Sequence, residues 1–233
     1  MTPLRDALFR PVRAGNAFEE TVERLVQAIR LGAVGPGERL PAERDLAGRL
    51  GVSRVTLREA IRSLQDAGYV ESRRGRYGGT FVTSPLPVPT AGPRVDAVEL
   101  ADALTLRAAV ETGAAECAAG RALDPAERRN LLARLAECGE AALEDYRRRD
   151  SRLHLAIAEA TGSASLTAAV ADARTRVNAL LERIPLLQPN LAHSNQQHAA
   201  IVGHVLAGDA EAARRAMAEH LDGTAVLLRG FLS

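Results

Sequence analysis

Four prolines, Pro85, Pro87, Pro89 and Pro93, fall within nine residues, with Gly92 among them. Proline fixes φ and lacks the amide hydrogen that a helix ladder needs. Such a stretch therefore reads as an extended, semi-rigid spacer. It divides the 233-residue chain into a short segment of mixed character and a long one rich in Ala and Leu. Length alone allows one large domain or two ordinary ones, and the proline cluster decides for two. The expected organisation is an N-terminal extension over 1–15, a first domain over 16–83, a linker over 84–95 and a second domain over 96–231.

Apolar residues make up 46% of the chain but aromatic ones only 3%, with no Trp. A core of Leu, Ala and Val favours helix packing over a β-sandwich, so the expected class is mainly α. No apolar run approaches the roughly 20 residues of a membrane helix, and Met1 to Arg13 lacks an apolar signal core. The expectation is a soluble, cytoplasmic protein with no membrane partner. Cys117 and Cys138 stand alone and are expected to be buried, reduced thiols. Residues 1–85 hold 14 Arg against 10 acids (+4), and residues 86–233 hold 16 against 19 (−3). All 30 basic residues are Arg, a usage that reflects the chain as a whole rather than phosphate binding.

The first segment reads as three helices and a hairpin. Phe18, Val22, Leu25, Val26 and Ile29 recur at helical spacing, and Gly32 is expected to end that helix. A second helix is expected at 43–50, stopped by Gly51. Ser53 is a suitable N-cap for a third over 54–67. Tyr69–Ser72 and Thr80–Thr83 are candidate strands, joined through Arg73-Arg74-Gly75-Arg76-Tyr77-Gly78-Gly79. A helix fits the DNA major groove, with its first turns reaching base edges. Arg54 and Arg58 lie four apart on one face with Thr56 nearby, while Leu57 and Ile61 anchor the other face. Arg44 could reach the groove or the backbone. Arg74 and Gly75 at the hairpin tip would sit beside the minor groove. A lone Arg-x-x-x-Arg pair can equally be a solvated face; its place after a turn and before a glycine-tipped hairpin favours DNA.

Leu40-Pro41-Ala42-Glu43-Arg44-Asp45-Leu46-Ala47, Gly51-Val52-Ser53-Arg54-Val55-Thr56-Leu57-Arg58-Glu59-Ala60 and Gly78-Gly79-Thr80-Phe81-Val82 resemble the GntR family of bacterial regulators. The resemblance implies a winged helix-turn-helix, a homodimer and a palindromic double-stranded operator. It places DNA contacts on Arg44, Ser53, Arg54, Thr56, Arg58 and Gly75. Val55 stands where that family often has Thr, and Tyr77 in the wing is unusual for it.

The second segment reads as all helix, roughly 96–121, 124–145, 147–161, 163–184, 191–207 and 209–231. Asp124-Pro125-Ala126-Glu127 is a helix start with N-cap, N1 proline and acidic first turn. Asp150 and His154 are four apart on one helix. His198 and His220 flank the turn at Gly208-Asp209 by about 10 and 12 residues, so antiparallel pairing puts them at similar heights. One Asp and three His suit a divalent transition metal with open positions, although such residues also occur unrelated on exposed helices. His193 and His204 are assigned to solvent or packing. Arg107 could grip a ligand carboxylate or pair with Glu111 one turn on. Asn178 and Arg174 share a helix that could line the same pocket.

This segment resembles the FCD ligand-binding domain of the FadR-type branch, in Arg107 to Glu111, Asp150 to His154, His198 with Ile201 and Gly208-Asp209, and Ala212 through His220. The resemblance implies a metal, zinc or else nickel or manganese, on Asp150, His154, His198 and His220. It also implies a small carboxylate effector, with Arg107 and Asn178 as candidate contacts. Ser163 stands where the family often has Asn. The expected function is a ligand-responsive regulator, a repressor in most such cases, and not an enzyme. Two alternatives are a metal-sensing regulator and a metalloenzyme with an accessory DNA-binding domain.

Overall fold

The computed structural model describes residues 9, 11–12, 15–30, 33–75, 78–87 and 95–232. Gly32, Arg76, Tyr77, Pro89, Gly92 and Pro93, and most of the expected N-terminal extension, lie outside the described residues. The described chain forms nine helices and one two-stranded sheet, and it separates into two compact units.

The first unit contains α1 (Ala17–Arg30), α2 (Glu43–Leu50), α3 (Arg54–Asp66), β1 (Val70–Arg73) and β2 (Gly79–Val82). The apolar stripe of α1 buries Val22, Leu25, Val26 and Ile29 with Leu46 and Leu50 of α2 and Leu57, Ile61 and Leu64 of α3. Gly51 ends α2 in the left-handed region (φ 67°), where its N–H bonds the Ala47 carbonyl and a Cβ would be strained. That turn sets the entry of α3. The hydroxyl of Ser53 accepts the Thr56 amide at 3.0 Å, capping α3 as its sequence suggested. β1 and β2 pair antiparallel from Val70↔Val82 to Arg73↔Gly79, each shifted by one residue from expectation. Arg73 lies over the Phe81 ring at 4.4 Å.

The second unit contains α4 (Ala97–Ala119), α5 (Pro125–Gly139), α6 (Leu143–Glu159), α7 (Ala164–Leu181), most of α8 (Gln188–Ala207) and the first part of α9 (Ala210–Leu232). The capping box at Asp124 and Glu127 is complete, with Pro125 at N1. The helix expected over 124–145 is instead two. α5 ends at Gly139, Ala142 is extended (ψ 154°), and α6 starts at Leu143 rather than 147. Buried Leu131, Leu153, Ile157, Ile201, Val205, Met217 and Leu221 form the main core. Cys138 is buried there. Cys117 is exposed on α4, against expectation, because the buried face of α4 runs through Ala114, Ala115, Ala118 and Ala119.

Two stretches expected in the second domain cluster with the first: Arg183–Asn190 and the chain from Gly223 on. Asn190 Nδ2 donates to Glu19 Oε1 at 2.8 Å. The Phe231 ring meets Tyr69 edge-on at 5.7 Å. Aromatic rings are few here, so this pairing weighs in where the chain end packs.

Leu153 is fully buried on α6 between Asp150 and His154. Leu153→Ala is expected to cost about 2–5 kcal/mol of stability in the second unit. Urea unfolding followed by circular dichroism measures it, and a cost near zero would show that this core is not packed as described.

Candidate functional site

In the first unit the outward face of α3 carries Arg54, Val55, Arg58 and Arg62, all exposed, with Thr56 half-buried. Ser53 and Thr56 hydroxyls are 2.8 Å apart, so each is partly engaged by the other. Arg44 is exposed near the start of α2, and Arg74 and Gly75 are exposed beyond β1. Arg58 is not free: its Nε donates to Glu43 Oε2 at 2.8 Å, tying α3 to α2. The two terminal nitrogens of its guanidinium take no part in that contact. Sequence reasoning missed Glu43 and Arg62. Arg62 was visible in the i, i+4, i+8 series Arg54, Arg58, Arg62.

In the second unit four side chains from three helices converge. Asp150 and His154 come from α6, His198 from α8 and His220 from α9. One potential ligand atom from each lies within 4.8 Å of all the others. His198 Nε2 is 3.3 Å from His154 Nε2 and 3.2 Å from His220 Nε2. Asp150 Oδ1 is 3.3 Å from His198 Nε2 and 3.7 Å from His154 Nε2. All three imidazoles are buried.

The far side of each ring decides what the near side can do. His154 Nδ1 donates to Glu111 Oε2. His220 Nδ1 donates to Gln197 Oε1 at 3.1 Å. His198 Nδ1 faces the Cys138 sulfur at 3.8 Å, a weak contact. Acceptors at Nδ1 put the proton there and leave a lone pair on Nε2. His154 Nε2, His220 Nε2 and Asp150 Oδ1 thus gather around His198 Nε2 as an acceptor-rich point that suits a cation. Metal–ligand bonds of about 2.0–2.2 Å at angles of 90–110° give ligand separations of about 3.0–3.5 Å. The donor set fits a divalent transition ion.

Around this quartet lie three further buried charges, Arg107, Glu111 and Arg174. Arg107 Nε donates to Glu111 Oε1 at 3.0 Å, so the ion-pair alternative for Arg107 is realised. Arg174 Nη2 bonds Asp150 Oδ2, and Ser151 Oγ at 3.1 Å. Asn178 Nδ2 donates to the same Ser151 hydroxyl at 2.9 Å. Burial would raise the Glu111 carboxyl, but His154, Arg107 and Arg174 outweigh it and bring it down to about 2. Burial works against the Asp150 carboxylate too, yet Arg174 and the imidazoles hold it well below the usual range. Burial holds His154 and His220 below the usual histidine value. Arg107 Nη1, Arg174 Nε and Nη1, and Asn178 Oδ1 are buried without a hydrogen-bond partner. Such groups are costly to bury unsatisfied. His193 and His204 lie half-buried on α8, outside the quartet. The partners Glu111, Gln197 and Cys138 are separated from their histidines by packing rather than by a short spacing. Of these, only Gln197 sits beside a ligand in sequence.

Residues 17–82 match the family model of bacterial regulatory proteins, gntR family, and residues 102–223 match the FCD domain. A protein of Escherichia coli (strain K12), provisionally named L-lactate dehydrogenase operon regulatory protein, is 33% identical over 95% of this chain and 88% of its own. The HTH-type transcriptional regulator Mce2R of Mycobacterium tuberculosis is 46% identical over 66 residues, 28% of each chain. The solved structure of E. coli McbR/YncC has a TM-score of 0.51 at 20% identity, covers 98% of both chains and shares the fold. Among the described residues no helix is long and apolar enough to cross a membrane. The domains and relatives are those of transcription regulators, which sets the metalloenzyme alternative aside. The chain belongs to the GntR family of bacterial regulatory proteins, with an FCD domain following its DNA-binding segment.

Proposed function

We propose that this regulator responds to a small organic acid bound in its helical unit beside a divalent transition metal, and that it acts in the cytoplasm as a repressor. The observation that carries the reading is the polar interior around Asp150, His154, His198 and His220. Zinc suits the donor set, with nickel or manganese as alternatives. When bound, the ion supplies coordination positions for a carboxylate oxygen.

Charge favours an anion. Arg107 and Arg174 are balanced by Glu111 and Asp150, and an imidazole that binds a metal through its lone pair carries no charge of its own. A divalent ion therefore leaves two positive charges in excess inside a buried site, which is costly unless compensated. The N–H groups of Arg107 and Arg174 that lack a hydrogen bond suit carboxylate oxygens. The unpartnered Oδ1 of Asn178 suits a ligand hydroxyl. A hydroxy acid meets both needs, and the lactate-related name of the E. coli relative is in keeping with that.

On the DNA side the reading is a homodimer on a palindromic operator. Arg44, Ser53, Arg54, Thr56 and Arg58 would face the major groove, with Arg74 and Gly75 of the wing beside the minor groove. The effector acts only if its affinity differs between DNA-competent and DNA-incompetent states. Metal sensing is the second reading, because four protein donors can complete a tetrahedral ion without any ligand. Titration of metal into apo-protein with operator separates the two: a change in operator affinity without any acid favours sensing.

Protein purified metal-replete and without chelator is expected to hold roughly one transition-metal ion per chain, lost in His198→Ala/His220→Ala. Elemental analysis that finds none would remove the metal from this reading. Arg54→Ala and Arg58→Ala should each weaken specific operator binding by about 1–3 kcal/mol. Fluorescence anisotropy measures this, and wild-type affinity in both variants would overturn the recognition-helix assignment. In a thermal-shift screen of carboxylic acids at least one hydroxy acid should raise the melting temperature of wild type but not of Arg107→Ala. A screen in which no acid stabilises the wild type would contradict the effector class.

A further inference from the structure

Val55 is an aliphatic side chain left 64% exposed in the first turn of α3. The inward face of that helix is already complete in Leu57, Ala60, Ile61 and Leu64, so Val55 adds nothing to the core. Its neighbours on the outward face are the exposed Arg54 and Arg58. Exposed valine is also one of the poorer helix formers. Elsewhere among the described residues the large exposed hydrophobics are Val98, Leu132 and Leu143, none of them on a helix of the DNA-binding unit.

Major-groove base edges offer one apolar feature, the C5-methyl group of thymine. A β-branched side chain within a helix is held in one dominant χ1 rotamer. The two Val55 methyls are thus set in place before DNA arrives, and little side-chain entropy is lost on contact. The nearby hydroxyls of Ser53 and Thr56 are drawn together at 2.8 Å, which leaves Val55 as the exposed apolar group beside Arg58.

We infer that Val55 is a specificity-determining residue that reads the methyl group of one thymine in each operator half-site. The inference rests on the assignment of α3 as the recognition helix. Burying one methyl against Val55 corresponds to about fourfold in affinity.

The test uses the full-length protein and a duplex consensus selected by it from a randomised pool. Each thymine is replaced in turn by deoxyuridine, which removes only the methyl, and binding is followed by anisotropy. Wild type is expected to lose about fourfold at one thymine per half-site. Val55→Ser should bind the thymine and deoxyuridine duplexes equally, while Val55→Thr, which keeps one methyl in the same place, should retain part of the preference. Circular dichroism checks that the variants fold. If the wild type is indifferent to every replacement, or Val55→Ser keeps the wild-type profile, the inference is wrong. Arg54→Ala tells its failure from that of the helix assignment. Loss of binding in Arg54→Ala with no deoxyuridine effect in wild type overturns the role of Val55 alone. Undiminished binding by Arg54→Ala, or a pool that yields no consensus, overturns both.

Discussion

Two arginines, two carboxylates and three imidazoles lie inside a helical unit whose core is otherwise mainly aliphatic. Isolated charges in such surroundings would be prohibitively unfavourable, so the arrangement holds together only as a connected whole. Glu111 ties Arg107 to His154, and Asp150 ties Arg174 to the imidazole cluster. Each tie joins different turns or different helices. Removing one member would strand its partner, at a cost of several kcal/mol for a buried pair. The rotamers of the metal-type donors are therefore fixed from behind, by Glu111, Gln197 and Arg174. A donor set held this way is preorganised, as a metal ion would require of it.

The DNA-binding unit follows a different logic. Its core is mainly aliphatic, with Glu19, Glu20, Thr21 and Ser63 buried beside it, and what it presents outward is set by two local devices, the Gly51 turn and the Ser53 cap. Leu57 and Ile61 of α3 turn inward, and Arg54, Arg58 and Arg62 are left on its outward face. The Glu43–Arg58 contact then restrains one arginine side chain at the surface. An exposed pair of this kind contributes little to stability. Its effect is on which guanidinium edge faces outward.

Much of this was readable in the chain. The i, i+4 spacing of Asp150 and His154, and the near-equal distances of His198 and His220 from Gly208, follow from helix geometry and a short antiparallel turn. Ser53 and the Asp124 box were legible because capping is local. The partners behind the histidines were not, since Glu111 reaches His154 across 43 residues and Arg174 reaches Asp150 across 24. Nor was the break after Gly139, where no proline marks the end of α5. The placement of Phe231 against Tyr69 depends on long-range packing that periodicity does not encode. Cys117 was misjudged because burial of a small residue depends on its helix face, and Cys138 on α5 took the inward one.

The central claim is that occupancy of the polar site in the helical unit and operator binding by the first unit are thermodynamically linked. Linkage is reciprocal: the factor by which an acid changes operator affinity must equal the factor by which operator changes affinity for that acid. Both can be measured on the metal-loaded protein, by anisotropy with and without the acid and by calorimetry with and without operator duplex. The account predicts one factor, on the order of 5–150, that falls to unity in His198→Ala/His220→Ala. Equal operator affinity with and without every acid that binds would contradict it.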